Sequence, residues 1–191
     1  MVDNTKTRLL DAAQLLVQTR GHNGYSYRDL AEQVGIRTAS IHYHYPTKTD
    51  LTVALVRRYR EAIVESMANV AVTKTALSDR MDAVCQAFAE TLRCDSRICV
   101  SCALAGEYLS LPSEVQTELK ELISDSETWI ARFLAEGRSR GEIASDVDPV
   151  LLARLWYAAL QGALVMARAS RTDTLAEVTA VLKQITMSKP K

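Results

Sequence analysis

The 191-residue chain has only seven glycines and four prolines. Punctuation this sparse leaves room for long uninterrupted elements, and no β-hairpin signal, repeat or low-complexity tract breaks them. Histidine is scarcer still. His22, His42 and His44 all lie far in sequence from Cys85, Cys94, Cys99 and Cys102. A structural zinc site needs four nitrogen or sulfur ligands at matching spacing, so no metal and no other cofactor is expected. No apolar run approaches the roughly 20 residues that cross a bilayer, so no membrane partner is expected. Met1 to Lys6 is polar and no apolar stretch follows, which argues against a secretory signal. The expectation is a cytoplasmic protein with reduced cysteines.

What is present is apolar bulk and a hidden charge asymmetry. At 48% hydrophobic the chain can bury a core. The net charge is zero, yet residues 1–60 hold nine Lys/Arg against five Asp/Glu. A basic first part on a neutral chain points modestly to a polyanion partner.

Periodicity predicts an all-α fold. Leu9, Leu10, Ala12, Ala13, Leu16 and Val17 recur at helical spacing before a stop at Gly21. Ser26-Tyr27-Arg28-Asp29 fits a capping box and opens a short helix through Val34. Gly35-Ile36-Arg37 is a turn, and a second short helix covers about 38–45 before Pro46. Thr47-x-x-Asp50 caps a long helix. Further helices are expected over about 77–94, 98–109, 112–138, 149–169 and 174–187. The helix at 149–169 is apolar on nearly every side and must be covered on all of them. It is either a central core helix or, with the helix that follows, a homodimer interface through Leu155, Leu160, Leu164, Val178 and Leu182.

Two short helices separated by a three-residue turn containing Gly form a helix-turn-helix pattern. Leu30, Val34, Ile36 and Ile41 are the apolar contacts that pack the pair. The outward face of the second helix carries Thr38, Ala39, His42 and Tyr43, with no carboxylate. Such a surface suits approach to phosphates and base edges.

Residues 5–55 resemble the N-terminal domain of the TetR family of transcriptional regulators. The resemblance rests on Leu10-Asp11-Ala12-Ala13, Arg20-Gly21, Tyr27-Arg28-Asp29-Leu30-Ala31, Val34-Gly35-Ile36 and Ala39-Ser40-Ile41-His42-Tyr43-His44-Tyr45-Pro46-Thr47-Lys48. His42 stands where the family usually has Tyr, and Tyr45 where it has Phe. The resemblance implies an N-terminal three-helix DNA-binding domain (1–48) and a C-terminal helical effector-binding and dimerisation domain (49–191). It implies a dimer on double-stranded operator DNA, usually repressing, released when a small-molecule effector changes the spacing of its two DNA-reading heads. On that basis Arg37, Thr38, Ala39, Ser40 and Tyr43 are candidates for base contacts. Tyr27, Arg28, His42, His44 and Lys48 are candidates for phosphate contacts. His44 is equally a packing residue, and a solvated lysine is the lesser alternative for Lys48.

The second part offers less. Cys99-Val100-Ser101-Cys102 places two thiols on one helical face, where Arg93 and Arg97 would favour thiolate. An oxidant or electrophile sensor and ordinary buried cysteine both fit. Cys102 to Glu107 is similar to a short helix that lines the effector pocket in some TetR-like regulators. Glu107 is then a pocket group or a surface acid, and Trp129, Trp156 and Tyr157 are pocket walls or core. A thiol oxidoreductase using Cys99 and Cys102 lacks a nearby general base and a βαβ pattern, so no enzyme is expected. A DNA-associated protein without an effector is the remaining rival.

Overall fold

A computed structural model describes residues 4–143 and 148–187, so Met1-Val2-Asp3 of the polar leader lies outside the described residues. The described residues are helical with no strand. The helices are α1 (Asn4–Arg20), α2 (Tyr27–Val34), α3 (Thr38–His44), α4 (Lys48–Thr73), α5 (Leu77–Arg93), α6 (Val100–Ala105), α7 (Ser113–Ser139), α8 (Pro149–Ser170) and α9 (Thr174–Met187). A single 3-10 turn, Tyr108–Ser110, lies between α6 and α7. The one continuous helix expected over 98–109 is therefore two short pieces, with Gly106 capping the first.

The chain forms two compact units. Unit one combines Met1–Glu61 with Cys99–Leu122, and unit two combines Ala62–Ile98 with Ile123–Lys191. A cut after residue 48 falls at the first residue of α4, whereas unit one continues through Glu61 and adds α6.

In unit one, Leu9, Leu30, Ile41, Leu51, Leu55 and Leu104 are fully excluded from solvent. Each such side chain contributes about 1.5–3 kcal/mol of transfer free energy. Local rules then place the short helices. Ser26 Oγ accepts from the Asp29 amide, and Asp29 Oδ2 accepts from the Ser26 amide at 2.8 Å, completing the capping box. Gly35 ends α2 at φ 72°, ψ 38°, where a side chain on Cβ is disfavoured. Its N–H and that of Ile36 both reach the Ala31 carbonyl. Arg8 of α1 donates to the Val34 carbonyl and so occupies another orphan acceptor of that helix end. Ion pairs bind α4 to its neighbours: Arg58 to Asp11 of α1 at 2.7 Å, Arg57 to Glu118 of α7 at 2.6 Å, and Arg60 to Glu121.

Unit two is built around Trp156 of α8. The indole is fully buried and its N–H donates to Thr186 Oγ1 of α9 at 2.9 Å. Asp148 caps α8, accepting from the Val150 amide, with Pro149 in the first turn. Buried Arg80 caps the end of α4, donating to the Lys74 and Ala71 carbonyls and pairing with Glu136. α8 is long and apolar enough, by length and composition, to cross a membrane, a run the sequence reading did not credit. Much of it is buried in unit two, and the core helix of a soluble protein has the same composition.

Gly35 has nothing within 4 Å of a Cβ built on it, so only backbone strain opposes a side chain there. Gly35→Ala is expected to lower the unfolding free energy by about 1–2 kcal/mol, measured by urea denaturation. A loss several-fold larger would show that the turn is held by packing instead.

Candidate nucleic-acid interface

α3 presents the interface because one side of it is anchored. Ile41 is fully buried and Tyr45, just beyond the helix, is 8% exposed. Arg37, Thr38, Ala39, Ser40, His42 and Tyr43 are exposed on the other side, and Tyr43 is 84% exposed. Two T-shaped ring pairs order the surface: Tyr43 with His44, centroids 5.1 Å apart, and Tyr27 with His42, 4.8 Å apart. His42 Nδ1 lies 3.1 Å from the Pro46 carbonyl. A carbonyl only accepts, so Nδ1 carries the proton of that contact and holds the ring against the segment that leaves α3. Beside α3, an open groove of about 410 Å³ is lined by Thr5, Ile36, Ala39, Ser40, Tyr43 and His44.

Two of the expected phosphate ligands are committed elsewhere. The Tyr27 hydroxyl donates to the Tyr45 and Thr47 carbonyls at 2.8 and 2.6 Å, tying α2 to the chain that leaves α3. Lys48 turns inward: its ammonium donates to the carbonyls of His22 and Tyr25 and sits 4.1 Å from the centre of the Tyr25 ring. Burial holds its pKa below the ordinary lysine value. Four carbon atoms of side chain let the amine reach both loop carbonyls from the start of α4. Lys48 therefore braces the α1–α2 loop. Arg28 stays exposed at the start of α2.

The remaining candidates separate by burial. Glu107 does not stand free at the end of α6. Its Oε2 accepts from the Asn23 backbone N–H at 2.8 Å and from Asn23 Nδ2 at 2.9 Å. Cys99 is buried, with its thiol 3.1 Å from Ser101 Oγ and 3.4 Å from the Tyr59 hydroxyl. Burial pushes the Cys102 thiol up, against the expected thiolate, and Arg97 pairs with Asp95. In unit two, Trp129 stacks edge-on against Phe133, while Trp156 and Tyr157 are buried. Leu160, Leu164 and Leu182 are already buried inside unit two, so they cannot bury further against a partner. The large apolar side chains left open on α8 and α9 are Val150, Leu151, Leu155, Met166, Val181, Ile185 and Met187, with Val178 half-buried. Sequence reasoning missed Arg8, Asn23 and Ser110, whose partners lie 26 to 87 residues away and leave no periodic trace.

This fold and surface define a helix-turn-helix, DNA-binding class of protein. Residues 9–55 match the family described as bacterial regulatory proteins, tetR family, and residues 78–181 match the tetracyclin repressor-like C-terminal domain. The chain belongs to the TetR family and is a DNA-binding transcriptional regulator, not an enzyme. It is 26% identical to the HTH-type transcriptional repressor KstR2 of Rhodococcus jostii over 157 residues, covering 78% of this chain and 72% of the relative. It is also 26% identical to the nucleoid occlusion factor SlmA of Vibrio atlanticus, covering 84% and 82%. A TetR-family transcriptional regulator from Agrobacterium tumefaciens superposes with a TM-score of 0.92 at 26% identity, covering 97% and 98%.

His22 is buried beside Lys48, and its Nδ1 lies 3.2 Å from Thr52 Oγ1. Burial first, then the Lys48 ammonium, lower its pKa from 6.5, against a smaller opposing pull from Glu107. The unfolded chain thus binds this proton at a higher pH than the folded one. Stability is expected to fall as pH drops below about 6.5, and the fall is expected to be smaller in His22→Asn. Urea midpoints of the two proteins between pH 7 and 5 check this; parallel curves would clear His22 of the effect.

Proposed function

We propose that the protein is a homodimeric repressor that reads operator DNA with α3 and is released by a small-molecule effector acting on the helical part after residue 48. The observation that carries the reading is the solvent face of α3: Arg37, Thr38, Ala39, Ser40 and Tyr43 exposed together, with no carboxylate among them. The N-terminal residues of the second helix are the ones that reach base edges in this motif. Arg37 suits guanine, Ala39 suits a thymine methyl, and Arg28, His42 and His44 flank them for phosphate. Action on DNA places the protein in the cytoplasm.

The dimer reading rests on the open apolar stripe of α8 and α9, now Leu151, Leu155, Met166, Val181 and Ile185 in place of the buried leucines. Two-fold pairing covers one such stripe with its copy and sets two α3 helices to read successive major grooves about 34–36 Å apart. Release by effector requires that the effector bind the non-reading spacing more tightly. Release by thiol modification gains no support from Cys102, whose thiol pKa is raised by burial. A second reading, a DNA-associated factor that answers to no effector, draws on the likeness to a nucleoid occlusion factor.

Sequencing of DNA fragments selected by the purified protein identifies the operator. On it, Tyr43→Ala is expected to weaken binding by about tenfold or more, the worth of one good base-edge contact. Unchanged affinity in both Tyr43→Ala and Arg37→Ala would remove α3 as the reading helix. Metabolites of the genes beside the selected sites then test release, and operator binding indifferent to all of them favours the effector-free reading.

The wild-type protein is expected to sediment as a dimer at micromolar concentration, and Leu155→Glu with Val181→Glu is expected to give a folded monomer. A wild-type monomer would overturn the interface.

A further inference from the structure

The α1–α2 loop of unit one, residues 21–26, is held from two sides. Lys48 holds the carbonyls of His22 and Tyr25 from the start of α4. From the opposite direction in sequence, Glu107 holds Asn23 by its backbone N–H and its side-chain amide. The same amide donates to Ser110 Oγ at 2.9 Å, and that hydroxyl donates back to the Glu107 carbonyl at 2.8 Å. The site is tight. Gly21 sits at φ 82°, and a Cβ there would come within 1.9 Å of Glu107 Oε1. A glycine is therefore needed at residue 21 for the carboxylate to close on the loop.

We propose that Glu107 is a positioning residue for DNA reading: through Asn23 it fixes the α1–α2 loop, and through that loop the presentation of α3. The path is continuous. Glu107 fixes Asn23; the loop's His22 and Tyr25 carbonyls fix Lys48; Lys48 begins α4 directly after the segment that leaves α3. Tyr27, the first residue of α2, fixes the same segment through the Tyr45 and Thr47 carbonyls. Without the carboxylate, Asn23 loses both acceptor contacts and the loop is held from one side only. Chemistry distinguishes this role from mere packing. Glu107→Gln keeps a side-chain oxygen that accepts from Asn23, whereas Glu107→Leu keeps bulk and offers no acceptor.

The proposal rests on α3 being the reading helix, and the test separates the two. Amide hydrogen exchange is followed by mass spectrometry on the DNA-free, full-length protein in wild type, Glu107→Leu, Glu107→Gln and Asn23→Ala. In Glu107→Leu, exchange is expected to quicken by about tenfold in residues 21–26 and 38–47 and to stay unchanged in α5, α8 and α9. Operator affinity is expected to fall several-fold, with Glu107→Gln restoring most of both effects. Asn23→Ala combined with Glu107→Leu is expected to cost less than the sum of the two single losses, because the contact between the two side chains is shared. Unchanged exchange in residues 38–47, equal quickening throughout the chain, or additive losses would each overturn the proposal. Should Tyr43→Ala and Arg37→Ala both leave DNA binding intact, the DNA reading fails, while the exchange measurement still decides whether Glu107 holds α3.

Discussion

A helix of seven residues does not hold its own shape in water, and α3 has seven. Nucleation costs several fixed dihedrals for one hydrogen bond, so isolated helices below about 12–15 residues are marginal. Everything that presents the DNA-reading surface must therefore come from outside α3. Ile41 supplies burial. Gly35 supplies the turn before it. The Tyr27 hydroxyl takes up the Tyr45 and Thr47 carbonyls just after α3, and the Lys48 ammonium, at the start of α4, takes up the His22 and Tyr25 carbonyls of the α1–α2 loop. The groups that look most like DNA ligands are thus divided between two tasks. Those with long reach brace the scaffold, and those on the free face of α3 are left exposed for the proposed DNA contact.

The same division alters the meaning of the basic first part. Arg20 pairs with Asp29, Arg57 with Glu118, Arg58 with Asp11 and Arg60 with Glu121, while Arg8 and Lys48 serve backbone carbonyls. Exposed pairs of this kind are worth little in stability, roughly 0–1 kcal/mol each. They do neutralise much of the local excess of positive charge. The asymmetry seen in the sequence is largely a property of helix packing in unit one. On the proposed DNA reading, attraction would rest on fewer cations, exposed Arg28 and Arg37 among them, and on how accurately α3 is presented.

Legibility in the sequence followed the range of each interaction. The Ser26–Asp29 box, the Gly35 turn and the Asp148-Pro149 start are local rules acting over two to four residues, and the structure shows each where the residues put it. The sequence makes Lys48 and Tyr27 candidate phosphate contacts and Glu107 a pocket group or a surface acid, because their actual partners lie 18 to 84 residues away. The helix at 149–169 shows a different limit. Apolar residues all round it announce full coverage, but not which side the protomer itself covers. Leu160 and Leu164 proved to face its own core, while Leu151 and Leu155 remain open. Composition counts apolar area, and only packing assigns it to a partner.

The two family segments, 9–55 and 78–181, suggest a head and a body joined end to end. Unit one does not respect that seam, since α6 and the start of α7 pack with α1 to α4. The head's own loop is completed by a carboxylate from the second segment, and its longest helix is paired to α7 through Glu118 and Glu121. A ligand can shift an equilibrium only by its differential affinity for two arrangements. For such a shift to reach α3, some contact between the segments must differ between those arrangements. Apolar packing yields gradually, whereas a pair of hydrogen bonds to one asparagine is either made or broken. A contact of that kind would give two states in place of a continuum, and a movement of α6 that broke it would be felt as a discrete change at the α1–α2 loop.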